Sequence, residues 1–155
     1  MRDRRFVASH RGGPLFIEDH RLLALWAAEC AGRVIRRFWR DDNDRRPSEA
    51  VAGAEAWARG ENSVGMARKL AVAAHAAARE AGDAASAAGA RAAGHAAGTA
   101  HMADHCLAAA EYALRAVELG GGDVGKERAW QEQRLPDAVR DLVVSARTLK
   151  CGRRS

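Results

Sequence analysis

The chain is short of nearly every residue that marks a specialised class of protein. It has three cysteines, Cys30, Cys106 and Cys151, an odd number with no CxxC pair, so neither a disulfide framework nor a thiolate zinc site is indicated. The first two fall in apolar helical patterns and read as small buried hydrophobes rather than reactive thiols. Aromatic residues are few, so four tryptophans and a set of leucines must supply most of the large buried side chains. No segment alternates apolar and polar residues as a strand does. No apolar run approaches the roughly 18 to 20 residues of a membrane span, and Met1 to Arg5 lead into no apolar signal segment. These absences argue for a soluble chain in a reducing, cytoplasmic compartment, without a membrane partner.

Catalytic signatures are missing as well. There is no P-loop, no GxGxxG following a strand and no carboxylate pair in a recognisable setting. Ser9, His10 and Asp19 contain the side chains of a hydrolytic triad, but nothing resembles a nucleophile elbow. The expectation is a protein that is not an enzyme and uses no cofactor.

What the chain does have is alanine, roughly a quarter of all residues and well above usual soluble composition, and arginine. Lysine occurs only at Lys69, Lys126 and Lys150, so 22 of the 25 basic side chains are arginines. At 155 residues the sequence fits a single domain, residues 1–155, with enough length for its own core. The net charge of +5 first raises nucleic acid or an acidic protein as partner. Its distribution weakens the first of these: residues 6 to 149 hold 19 basic and 19 acidic side chains, so the excess lies at the two ends, which are expected to fray. Arg33, Arg36, Arg37 and Arg40 share one sector of a helix, yet Asp41, Asp42 and Asp44 follow at once and would repel phosphate, so nucleic acid is disfavoured.

Helical punctuation organises the rest. Ser9 to Pro14, with its paired glycines, makes residues 1–14 an arm or ordered loop, and residues 150–155 form a basic tail. Leu23, Trp26, Ala27, Cys30, Val34 and Phe38 recur at spacings of three and four and predict one apolar stripe from about Glu18. Pro47 opens a second helix that stops near Gly60, Ser63 caps a third, and Asp83 caps a fourth. No proline interrupts Ala84 to Leu119, but Gly89, Gly94 and Gly98 each cost about 1 kcal/mol relative to alanine, so a kink or break is expected between Gly94 and Gly98. Gly120 to Gly122 end that helix, Asp123 caps a fifth, and Pro136 starts a sixth holding Val139, Leu142, Val143 and Ala146. The expected fold is all-α: a compact alanine-rich bundle of about six helices whose axes approach closely.

The conspicuous side chains are His95, His101 and His105. On a continuous helix His101 and His105 would lie within about 40° of each other with Tyr112 between them, and His95 about 80° from His105. Histidines at i and i+4 are a metal-ligand spacing, but the zincin pattern requires Glu directly after the first, where Met102 stands. The alternatives are a buried polar network, a partner-facing patch, or a ligand or metal site using His95, His101 and His105. A second candidate binding group is His10 with Arg11 on the opening loop, which capping and anchoring of the arm would also explain.

Several pieces together resemble a bacterial family of immunity proteins. They are Arg5-Phe6-Val7-Ala8-Ser9-His10-Arg11-Gly12-Gly13-Pro14, His20 to Ala27 with Cys30-Ala31, Ala56-Trp57-Ala58-Arg59-Gly60, Ala73 to Ala81, Ala93 to Ala97, and Thr99-Ala100-His101 through Tyr112. The resemblance covers nearly the whole chain. It implies an all-helical, type-five-like immunity protein of polymorphic toxin systems, which binds a cognate toxin and blocks it inside the producing cell, and it brings no catalytic residues with it.

Overall fold

The punctuation read from the sequence is where the helices begin and end. A computed structural model describes residues 2–153 and shows seven α-helices among them: α1 (Ile17–Phe38), α2 (Arg46–Ala58), α3 (Val64–Glu80), α4 (Ala84–Gly98), α5 (His105–Leu119), α6 (Val124–Gln133) and α7 (Asp137–Gly152). Two short 3-10 turns, Arg4–Phe6 and Ser9–Arg11, precede them. Ser63, Asp83 and Asp123 each accept a hydrogen bond from a backbone N–H three residues on, at 3.1, 2.8 and 3.1 Å, and so satisfy donors that a helix start leaves free. The only β-type pairing among the described residues is an isolated bridge between Ala8 and Leu15.

The count is seven where the sequence suggested about six, because the fourth helix is two. The break falls at residues 99–104, directly after Gly98, at the edge of the span where a kink or break was expected, and α4 runs unbroken through Gly94. Thr99 ends α4 by bonding its N–H to the carbonyls of His95 and Ala96 at 3.1 and 3.2 Å, while its hydroxyl donates to the His95 carbonyl at 3.1 Å. The glycines serve packing instead. A Cβ on Gly94 would lie 2.7 Å from the His75 imidazole, and one on Gly98 would lie 3.3 Å from the ring of His105. Their missing side chains let aromatic rings rest on the helix backbone.

The α4 helix is the hub. Nearly all of its side chains are alanine or absent, so α1, α2, α3 and α5 can all pack around it. The predicted α1 stripe of Leu23, Trp26, Cys30, Val34 and Phe38 is buried against this hub. Burial of such side chains contributes roughly 1.5 to 3 kcal/mol each. Trp57 leads a smaller cluster with Ala24, Ala58, Ala67 and Ala100.

At the far side, α6 and α7 close the bundle through a polar seam as well as an apolar one. Val139, Val143 and Ala146 face inward, and Arg147 on the same stripe is buried too. The described residues nearest the two ends of the chain meet here. Arg2 pairs with Asp104 at 2.9 Å, Arg5 donates to the Ser145 hydroxyl at 2.6 Å, and α7 continues through Gly152. Arg154 and Ser155, the last of the expected tail, lie outside the described residues.

Candidate functional site

Folding gathers four histidines where three helices meet. His95 stands near the end of α4, His105 opens α5, His101 lies in the turn between them, and His75 enters from the middle of α3. His95 is the centre: its ring lies 4.9 Å from His75, 5.1 Å from His105 and 5.2 Å from the parallel ring of Tyr112. The His101 ring is 5.1 Å from that of His105. His75 is seated by Gly94, whose bare backbone makes room for it.

The cluster's electrostatics follow from its crowding. The Nδ1 atoms of His95 and His105 are 2.9 Å apart, so one carries the hydrogen and the other offers its lone pair. Two imidazolium rings could not share that contact. Burial, reinforced by neighbouring cations and the other rings, lowers the pKa of His75 and His101, and pushes that of His95 down to about 4. His105 is lowered by burial as well, against the opposing pull of Asp104. The rings are therefore neutral near pH 7. They point at one another instead of converging on a common point, and among the described residues no group of three or more His, Cys, Asp or Glu side chains is placed to hold a metal ion.

A fifth histidine works beside them. His20 of α1 is 2% exposed, packs its ring at a tilt against Trp57 with centroids 4.7 Å apart, and donates from Nε2 to the Thr99 carbonyl at 2.5 Å. It thus ties the start of α1 to the α4–α5 turn, and burial lowers its pKa. His10 and Arg11 sit exposed on the turn Ser9–Arg11. Arg11 is near enough to both His20 and His101 to disfavour their charged forms.

The second polar assembly is at the α6–α7 seam. Arg147 is 5% exposed and donates from Nη2 to Gln131 Oε1; its guanidinium lies 5.2 Å from the Trp26 ring and 3.6 Å from a Glu132 carboxylate oxygen. Gln131, fully buried, donates to the Ala110 carbonyl at 3.1 Å, and its own carbonyl accepts the Trp26 indole N–H at 2.8 Å. Four helices are joined through one glutamine.

The sequence-predicted residues His95, His101, His105 and Tyr112 come together, while His10 and Arg11 remain on the exposed turn. His75 went unnoticed because α3 offers only a lone histidine among alanines. Arg147 was detectable: it follows Val139 and Val143 at helical spacing, on the stripe that turned out to be buried. Of the four arginines clustered around the end of α1, Arg33 and Arg37 have partners within the protein. Arg33 pairs with the buried Glu127 at 3.0 Å and covers the Trp130 ring at 4.2 Å, and Arg37 covers Phe38. Cys30 and Cys106 are buried, and burial raises their thiol pKa well out of the reactive range. No helix is long and apolar enough to cross a membrane among the described residues.

Fold and site together define an all-helical bundle with imidazole rings packed into its helix interfaces. The family described as Imm-5 like putative immunity protein matches residues 14–138, and the chain belongs to that family. No curated protein and no solved structure matches the chain.

Proposed function

We propose that this chain is the immunity partner of a bacterial polymorphic toxin: it binds a cognate toxin inside the producing cell and neutralises it by occlusion, without catalysis. Membership of the immunity family over residues 14–138 carries the reading. The architecture supports it, since a bundle whose helices are joined by side-chain hydrogen bonds as well as apolar packing presents a preorganised surface, and preorganisation lowers what association costs in ordering. In this reading His10 and Arg11, exposed on their turn, are free to meet the partner, while His95, His105 and Tyr112 hold the surface behind them in shape.

The test is co-expression with the toxin domain encoded beside this chain. The wild-type chain is expected to restore growth and to co-purify with the toxin, and a chain that does neither overturns the proposal. A His10→Ala/Arg11→Ala double substitution is expected to weaken rescue without lowering the melting temperature.

A further inference from the structure

The charge excess that the sequence placed at two separate ends becomes one face of the folded protein. Two grooves flank the C-terminal half of α7. One, about 550 Å³, runs between α5, α6 and α7 above Arg147; the other, about 430 Å³, lies between α7 and the N-terminal segment. Lys150 lines both, so together the linings hold eight basic side chains and four carboxylates, a net +4 of the chain's +5.

The carboxylates are already taken. Glu118 pairs with Arg115, Glu111 with Arg128, Asp104 with Arg2 and Asp3 with Arg5, at distances from 2.7 to 3.7 Å. Arg4, Lys150 and Arg153 are left with no ion pair among the described residues. Arg147 adds a weakly hydrated charge beneath the first groove, where its Nε and Nη1 make no hydrogen bond. Charge at the base of a concave, low-dielectric surface is screened less than charge on a convex one. Beside these cations the second groove has an apolar floor of Leu107 and Ala146, with Leu149 at its edge, 54% exposed.

We infer that this face, the C-terminal half of α7 with its two flanking grooves, is a docking surface for an acidic segment of a partner protein, whose carboxylates would meet Arg4, Lys150 and Arg153. The inference rests on the immunity reading for the identity of the partner, and on charge complementarity for its chemistry. A nucleic acid fits less well, because the apolar lining of Leu107, Ala146 and the exposed Leu149 suits a peptide, which can set apolar side chains beside its carboxylates, better than a continuous phosphate chain. Planar guanidinium groups suit discrete carboxylates, which they can hold by two parallel hydrogen bonds.

Fluorescence anisotropy with a fluorescein-labelled hexaglutamate peptide at low salt reads this face without any toxin. Lys150→Glu and Arg153→Glu are each expected to weaken binding about tenfold. Arg45→Glu makes the same charge change on the exposed residue before α2 and is expected to alter binding less than about twofold. Equal losses at Lys150 and Arg45 overturn the proposal, as does tighter binding of a single-stranded thymidylate hexamer than of the peptide. Lys150 and Arg153 are exposed, so folding does not depend on them. Growth rescue then separates the two readings. A wild-type chain that rescues, with Lys150→Glu/Arg153→Glu rescuing equally well, discards the docking face and leaves the immunity function standing. A wild-type chain that fails to rescue discards the immunity function, and the peptide measurement alone decides the face.

Discussion

The histidine cluster and the Arg147 seam are both polar groups set into an alanine-rich bundle, and they solve the same problem in opposite ways. An imidazole can lose its charge: packed together, the four rings stay neutral, and a 2.9 Å contact between His95 and His105 becomes possible. A guanidinium cannot, because it remains protonated at any ordinary pH. Arg147 must therefore be given an acceptor in Gln131 Oε1, a carboxylate at 3.6 Å and the face of Trp26. The first region should be sensitive to pH and indifferent to polar partners; the second should be the reverse.

The comparison breaks most visibly at Arg147. Arg147→Ala removes a buried side chain and strands the side-chain Oε1 of Gln131, so denaturant unfolding should show a loss of about 3 kcal/mol. The loss should be nearly the same at pH 7 and pH 5. A loss below about 1 kcal/mol would mean that the seam contributes little.

At the histidine cluster the decisive measurement is a sign reversal. Gly94→Ala gains about 1 kcal/mol of helix propensity but drives its Cβ to 2.7 Å from the His75 ring, an overpacking cost of roughly 1 to 3 kcal/mol. It should destabilise the wild-type chain and stabilise a His75→Ala chain. The same sign in both backgrounds would show that Gly94 is not His75's seat.

Acidification separates the regions next. A histidine whose folded pKa lies below its unfolded value near 6.5 contributes its full stability above that value and loses it as pH falls toward the folded one. For His95 the window runs from about 6.5 down to about 4. The cluster is half-buried and partly screened, so the loss by pH 4.5 should be about 1 to 2 kcal/mol. His95→Gln should flatten that slope, whereas Arg147→Ala should leave it intact.

The smallest effect is a control on α3, which carries His75. Ser63→Ala removes only the hydrogen bond that caps this helix and should lower stability by about 0.5 to 1 kcal/mol, with the pH slope unchanged.

Much of this architecture was legible beforehand, for reasons that differ by element. Caps at Ser63, Asp83 and Asp123 and the α1 stripe are local: the side chain and the backbone it serves lie within a turn of each other, so spacing alone reveals them. A break close to Gly98 was legible from glycine's helix penalty, but not that the helix would pass Gly94 without one, because the packing role of that glycine lies outside its own helix. Gly94 is tolerated inside α4 since His75, nineteen residues earlier, occupies the space its side chain would have filled. The same blindness hid His75 from the predicted cluster and made two basic ends look unconnected.

By itself, then, the sequence determined that the chain is all-helical, where most helices start, which α1 face is buried, and which family it resembles, because those depend on neighbours along the chain. Only the tertiary structure decided that His75 and His105 meet at His95, that Arg147 is buried under a groove, and that Arg4 and Lys150 share one face. Those pairings join residues far apart in sequence, and they exist only once close helix packing around the alanine-lined α4 has fixed the directions in which the side chains point.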